Sequence, residues 1–487
     1  MTSLIDQARE VLALAGDRAG DGPAAIALDD ARARLDEPLR VAVAGRVKAG
    51  KSTLVNAMVG ELVAPTDARE CTRIVTWYRD GVTYRVTGVE PSGDSAPLRF
   101  DRDGGGLEID LGGRAPQDLE CIEVTWPSSR LAEMTLVDTP GIDSLDRAVA
   151  DRAERFLSAA EEHPAPTDAV LYLLRHVHAS DVHFLEAFHD DQMAAANPIN
   201  SIGVLSRADE VGAARTDALE SANRIAQRWR SDRRMTALVQ TVVPVAGLLA
   251  EAASTLRQAE FAALVTIAAA DPGLVDELLV SVDRFGRSDV SVGIVDSERS
   301  ALLDRLGLFG CRLAIGLLRS GEVTTASGLA SELLNASGLP ALRAELADRF
   351  GRRRDLLKAR HALLVSRHVA AALDDVELSS AVERVLDGAH EFAELRVLNA
   401  LQRDTLGFDA GTAAAARRLL GDDGMQLDVR AGLDVGADTV DVRAALVEQH
   451  AGWQARAEHP LATPDVAAAA RVLARTCEGL LAALTPA

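Results

Sequence analysis

Eight consecutive residues, Gly45-Arg46-Val47-Lys48-Ala49-Gly50-Lys51-Ser52, have the types and spacing of a phosphate-binding loop. Gly45 and Gly50 let the backbone curl so that successive N–H groups converge on an anion. A helix starting near Lys51 adds its positive dipole end. Lys51 is long enough to reach the outer phosphates of a nucleotide, and the Ser52 hydroxyl suits Mg²⁺. Ala49 and Thr53 complete the stretch expected to touch the nucleotide. A second group, Asp138-Thr139-Pro140-Gly141, follows the apolar run Met134–Val137. An Asp at such a strand end holds Mg²⁺ through water, and the Gly141 N–H is placed to sense a γ-phosphate.

A third group, Ser206-Arg207-Ala208-Asp209, follows the run Ser201–Leu205. Guanine-specific proteins usually carry [NT]-K-x-D at such a place. The Asp209 carboxylate accepts from guanine N1–H and the exocyclic amine, which adenine does not offer, so guanine is favoured over adenine. Arg207 keeps an aliphatic stem for the base but has a planar head that lysine lacks. Between the first two groups, the loop Glu61–Arg73 should supply a threonine for Mg²⁺ and the γ-phosphate. Thr66 and Thr72 both qualify, and Thr72 is preferred because Thr72-Arg73 directly precedes a strand.

These residues need a sheet to carry them. The run Val41–Ala44 before the phosphate loop is strand-like, and Leu54, Val55, Met58 and Val59 mark one face of the helix after it. Further strand-like runs are Ile74–Tyr78, Thr83–Val89, Cys121–Trp126, Ala169–Leu174 and Val239–Val245, with helical patterns over Asp146–Ala160 and Arg215–Arg230. This alternation predicts a mostly parallel, covered sheet with an antiparallel excursion, and the glycine-rich stretch Pro91–Arg114 supplies its hairpin turns. After Ala250 the composition turns to long Ala/Leu/Arg/Glu helices, expected over Leu249–Ala270, Ser297–Arg319, Pro340–Leu373, Val376–Leu401, Val440–Glu458 and Pro464–Leu484. Pro340–Leu373 as one helix would span about 50 Å, the length of a stalk or bundle element. The fold class is therefore an α/β P-loop head plus an all-α neck and trunk bundle. Three divisions are expected: an N-terminal helical segment 1–38 packing with the neck, a nucleotide-binding domain 39–250, and a helical neck and trunk 251–487.

At 487 residues and a formal charge of −21, the chain does not read as a nucleic-acid binder. Its lysines are Lys48, Lys51 and Lys358, two of them in the phosphate loop. Cys71, Cys121, Cys311 and Cys477 are far apart and form no zinc or redox pair, as in a reduced cytoplasmic protein. The N-terminal stretch lacks the layout of a signal peptide, and no apolar run reaches about 18 residues. His176, His178, His183 and His189 complete no zinc spacing. The basic stretch Arg352–Arg354 with Lys358 and Arg360 reads as a solvated helix face or, less simply, an anionic-lipid contact. Leu306–Leu318 reads as a buried core helix or a lipid-touching tip.

Together the stretches GRVKAGKSTLVNAMVGELVAPTDARECTRIVTW, LVDTPG, SRADEVGA, SGLPALRAEL and DLLKARHAL resemble the dynamin family, and within it the isoniazid-inducible bacterial dynamin-like proteins of mycobacteria, the IniC type. The resemblance spans most of the chain. It implies a GTPase using GTP and Mg²⁺, with nucleotide-dependent association coupled to membrane binding or remodelling at the inner face of the plasma membrane, linked to cell-envelope drug tolerance. It also implies a homo-oligomer or a paralogous dynamin-like partner. Two positions depart from related GTPases. Ile142 stands where small GTPases place a water-orienting Gln, and Val47 stands where eukaryotic dynamins carry one. Lys48 occupies the slot of an internal arginine finger in guanylate-binding relatives, which implies a share in neutralising transition-state charge. A soluble regulatory GTPase, or a weakly hydrolysing scaffold of a dynamin-like assembly, is the alternative.

Overall fold

The computed structural model describes residues 3–20, 22–65, 73–103, 106–141, 166–175, 200–236, 238–287, 290–402 and 404–484. Thr66, Cys71, Thr72, Ile142, the helical pattern Asp146–Ala160 and the four neighbouring histidines lie outside the described residues.

The strands are β1 (Leu39–Gly45), β2 (Val75–Asp80), β3 (Arg85–Val89), β4 (Ser95–Pro97), β5 (Arg99–Asp103), β6 (Gly106–Asp110), β7 (Cys121–Trp126), β8 (Met134–Asp138), β9 (Ala169–Leu174), β10 (Ser201–Ser206) and β11 (Val242–Val245). Nine form one sheet in the order β11-β10-β9-β1-β8-β2-β7-β3-β4, while β5 and β6 pair separately. From β11 to β8 the strands are parallel; β2 pairs antiparallel with β8, and β3 antiparallel with β7. The antiparallel excursion is thus the segment between the first two motifs. Every residue of β1 is buried, as expected of a strand covered on both faces. Leu39, Val41 and Val43 face one core, and Ala42 and Ala44 face the other.

The helices used below are α1 (Leu4–Ala19), α2 (Pro23–Arg34), α3 (Lys51–Val59), α4 (Ala218–Arg230), α5 (Gly247–Ser254), α6 (Gln258–Ala268), α7 (Asp296–Ser320), α8 (Ala326–Ala336), α9 (Arg354–Leu373), α10 (Val376–Gly388), α11 (His390–Gln402), α12 (Thr439–Ala457) and α13 (Pro464–Ala483). The apolar stripe of α1, Leu4, Ala8, Val11, Leu12 and Ala15, packs on α9, with α2 and α10 alongside. These helices share one core with the α3 face of the sheet. A further core holds α5 to α8, and another gathers residues 397–484 around Trp453.

The junction of α2, α9 and the sheet is polar and buried. Arg34 Nη2 donates to Asp168 Oδ1 at 2.7 Å, with the two side chains 2% and 1% exposed. The Arg40 N–H donates to Asp168 Oδ2 at 2.8 Å. Arg34 Nη1 lies 2.7 Å from His361 Nε2. Burial and the surrounding arginines hold the histidine well below its usual range, so the neutral ring accepts.

Three helical expectations are corrected, each at a break where a side chain from elsewhere in the sequence takes a freed backbone carbonyl or holds the turn, and a fourth helix is found but bent. Leu249–Ala270 divides into α5 and α6 at Thr255, whose carbonyl and hydroxyl both accept from Arg305. Pro340–Leu373 is not one long helix: Leu339–Glu345 passes through a π-helical turn, Leu346–Gly351, before α9. There Arg349 donates to Asp422 O, and Arg353 to Leu420 O and Gln240 Oε1. Val376–Leu401 breaks at Ala389, which is extended, while Arg396 captures the Leu386 carbonyl. The helix over 297–319 is found as α7 but bends at Gly307 (φ 65°, ψ 173°).

The basic stretch is neither a solvated face nor a lipid contact at its centre. Arg353 and Lys358 are buried, and Lys358 donates to the carbonyls of Leu35 and Glu37. Leu306–Leu318 is core: Leu306, Leu308, Phe309, Cys311, Ala314 and Ile315 are buried between α5, α6 and α8. No described helix is long and apolar enough to cross a membrane.

Candidate nucleotide site

The carboxyl ends of β1, β8 and β10 open into one crevice, the usual ligand side of a parallel sheet. After β1 the chain turns through the phosphate loop into α3, with Gly50 in the left-handed region at the helix start. Lys51 Nζ folds back across the loop and donates to Gly45 O (3.2 Å) and Arg46 O (3.1 Å). Burial lowers its pKa, and Asp138 opposes that shift. The half-buried ammonium thus bridges two carbonyls at the start of the loop.

Ser52 Oγ donates to Asp138 Oδ2 at 2.6 Å. Asp138 Oδ1 is buried and has no hydrogen-bond partner among the described residues. Burial raises the Asp138 pKa, while Lys51, Ser52 and the Thr139 N–H pull it down. A hydroxyl and a carboxylate with one orphaned oxygen, in a dry corner beside a lysine, are hard donors that fit Mg²⁺. Thr139 Oγ1 donates to Val43 O at 3.0 Å, pinning the second motif to β1. A Cβ on Gly141 would stand 2.4 Å from Val47 Cγ2, so the second motif touches the phosphate loop at the residue expected to be unable to orient water.

On the base side, Arg207 adopts φ 52° and sends its guanidinium back to the phosphate loop. Nη2 donates to Lys48 O (2.9 Å) and Nη1 to Glu210 Oε1 (2.7 Å); Arg175 holds the other Glu210 oxygen at 2.7 Å. Lys48 itself sits at φ 61°, exposed at the rim. The arginine head thus ties the base loop to the phosphate loop, a use that requires a planar fork. Asp209 is 7% exposed, and burial pushes its carboxyl up to about 6. It lines a cavity of about 150 Å³ with Ala49, Gly50, Thr53, Arg207 and Gly247. Of Val245-Ala246-Gly247, the Ala246 N–H is committed to Ser337 O at 2.8 Å, while Gly247 opens α5 at the cavity wall.

Residues 41–207 match the Dynamin family. Over 461 residues the chain is 43% identical to the isoniazid-induced protein IniC of Mycobacterium tuberculosis, strains CDC 1551 / Oshkosh and ATCC 25618 / H37Rv, covering 93% of this chain and 92% of the relative. The chain belongs to the IniC-type bacterial dynamin-like proteins. A solved structure described as an oligomerised bacterial dynamin pair for long-range sensing and tethering of membranes aligns with 99% of this chain and 74% of its own, at 12% identity and a TM-score of 0.32.

In this IniC-type protein the head is a dynamin-family GTPase domain on a mostly parallel sheet, followed by an all-α region. Gly45, Ala49, Gly50, Lys51, Ser52, Thr53, Asp138, Gly141, Arg207 and Asp209 all lie at the one crevice. Thr72, the preferred switch threonine, lies outside the described residues, as do the histidines. No cluster of three His, Cys, Asp or Glu side chains able to hold a metal occurs among the described residues. Asn56, Glu251 and Gly307 were not singled out by sequence. Asn56 is the one polar side chain in the buried run Leu54–Val59, and that was the available signal. A Cβ on Gly307 of α7 would stand 3.6 Å from Asp209 Oδ2 and from Leu248 Cδ2, so the bend of α7 backs the base cavity.

Proposed function

We propose that this protein binds GTP with Mg²⁺ and hydrolyses it, coupling nucleotide-dependent self-association, or pairing with a paralogous dynamin-like chain, to binding or remodelling of a membrane. The observation that carries the reading is the pairing, at one crevice, of the Lys51–Ser52–Asp138 corner with a buried carboxylate, Asp209, in the adjoining cavity of about 150 Å³. Ser52, Asp138 and Thr72 would hold Mg²⁺, which supplies charge neutralisation on the β- and γ-oxygens. Lys51 anchors the outer phosphates, and Asp209 reads guanine. Lys48 is assigned a share of transition-state charge.

Membrane coupling and cell-envelope drug tolerance rest on kinship with the isoniazid-induced relatives. Residues 39–250 are assigned to the GTPase domain, and 1–38 and 251–487 to neck and trunk. Helices α5 to α8 share a core with Ala218 and Ala246, so the first part of the helical region packs directly against the head. A peripheral place at the inner membrane face accords with the family reading. A weakly hydrolysing scaffold is the second reading, favoured by the contact of Val47 with Gly141 in the absence of a polar side chain at Val47.

Purified protein should bind GTP at least about 100-fold more tightly than ATP, the discrimination a polar lock gives. It should turn GTP over and co-sediment with anionic liposomes more when GTP is present. Lys51→Ala should abolish binding or turnover. Wild-type turnover in that variant overturns the site; turnover without any liposome binding moves the function to a soluble GTPase.

A further inference from the structure

Behind the phosphate loop, residues from three distant stretches meet. Asn56 on α3 is 1% exposed. Its Oδ1 accepts from the Val63 N–H (2.8 Å) and the Ala64 N–H (2.6 Å). Its Nδ2 donates to Ala64 O (3.0 Å) and to Glu251 Oε2 (2.9 Å). The amide is fully used and clamps the backbone where the chain leaves α3 toward Thr66 and Thr72.

Glu251 on α5 is 6% exposed and looks the other way to α7. Its Oε1 lies 3.7 Å from Arg305 Nη1. Arg305 is itself fixed: Nε donates to Glu260 Oε1 at 3.0 Å, and Nη2 to Thr255 Oγ1 at 2.6 Å. A continuous polar path therefore runs from α7 through α5 to the exit of α3.

The same helix reaches the base side. Two residues after Arg305, the bend at Gly307 backs Asp209 with a backbone geometry open to glycine alone. Further on, Arg312 Nη1 donates to Ala214 O at 2.5 Å, in the loop that follows the base motif. Burying a charge pair gains little over apolar packing, so a purely structural contact here would be served as well by leucines. What polar groups add is a defined geometry.

We propose that Asn56, Glu251 and Arg305 are positioning residues for hydrolysis, a relay by which the seating of α7 on the base cavity sets the chain leaving α3 toward the γ-phosphate. The proposal rests on the GTPase reading above, and its test separates the two. Asn56→Ala, Glu251→Gln and Arg305→Gln are made in the full chain. Each is assayed for GDP affinity with a fluorescent GDP, for single-turnover GTP hydrolysis, for melting temperature, and for amide exchange in the peptide spanning Glu61–Pro65.

Asn56→Ala should slow single-turnover hydrolysis at least about tenfold, the scale of a small misplacement at a reacting centre, while GDP affinity stays within about threefold. Glu251→Gln keeps an acceptor for the Asn56 amide and should retain more activity, losing about threefold. Arg305→Gln touches neither nucleotide nor loop, yet should speed exchange at the Val63 and Ala64 amides, the signature of transmission along the path. The relay is refuted if Glu251→Gln and Arg305→Gln both leave hydrolysis and exchange at wild-type values. It is also refuted if GDP affinity, hydrolysis and melting temperature fall in step, which marks a packing role. If Asn56→Ala does not fold, the other two variants decide. A wild-type chain that neither binds nor hydrolyses GTP overturns the GTPase reading instead, and the exchange measurement still reads the relay.

Discussion

Asp209 should destabilise the protein that depends on it. Its carboxyl is pushed up to about 6 from 3.8 by burial, so the folded chain prefers it protonated. Below pH 3.8 it is protonated folded or unfolded and contributes nothing; above about 6 it is charged in both, and the folded state carries the full penalty. The gap, at about 1.36 kcal/mol per pH unit, is about 3 kcal/mol at neutral pH and about half that at pH 5. Asn has the same shape without the charge, and its amide still loses some water, so Asp209→Asn should stabilise the nucleotide-stripped protein by about 2 kcal/mol at pH 7.5. Spread over the unfolding entropy of a 487-residue chain, that raises the melting temperature by about 2 °C. Thermal melts of stripped wild type and variant at pH 7.5 and 5.0 measure it, the gain shrinking at the lower pH. Adding GDP should reverse the order if, as proposed, Asp209 accepts from guanine. A variant no more stable than wild type at pH 7.5, or a gain indifferent to pH, refutes the burial argument.

Other outcomes follow from the same geometry. Lys48→Ala should lower kcat at least about tenfold with GTP affinity nearly unchanged, a modest share of the finger effect; a normal kcat in steady-state assays leaves Lys48 as a rim charge. Asp138→Ala and Thr72→Ala should impair single-turnover hydrolysis more than nucleotide binding, and an unaffected Thr72 variant transfers the role to Thr66. Asp168→Asn leaves the buried Arg34 guanidinium without its carboxylate and turns an amide toward the Arg40 N–H, which should lower stability by about 3–5 kcal/mol in urea unfolding.

What sequence disclosed was what local pattern encodes. Cys121–Trp126 and Ala169–Leu174 are strands over the ranges their apolar runs mark, and the phosphate loop, Asp138 and Asp209 converge because each follows a parallel strand of one sheet. Helix breaks were illegible because their causes lie elsewhere: Thr255 is capped by Arg305, fifty residues on. The basic stretch misled because charge on a helix reads as exposed, whereas Arg353 and Lys358 find backbone carbonyls inside the fold. The Arg207–Lys48 tie and the Asn56–Glu251 contact, 195 residues apart, needed coordinates for the same reason.

The packing of α1 on α9 has a consequence for how the chain is made. At about 5–20 residues per second, α9 leaves the ribosome about 20–70 s after α1. Throughout that interval the stripe from Leu4 to Ala15 has only α2 beside it and lacks α9, the helix it packs on most extensively. The head can close around its sheet early, while the neck waits until translation is nearly done. Two chains growing on one message therefore bring α9 of the older beside the waiting α1 of the younger. Exchange of that helix between copies is the characteristic error this topology invites, and slow translation lengthens the window for it.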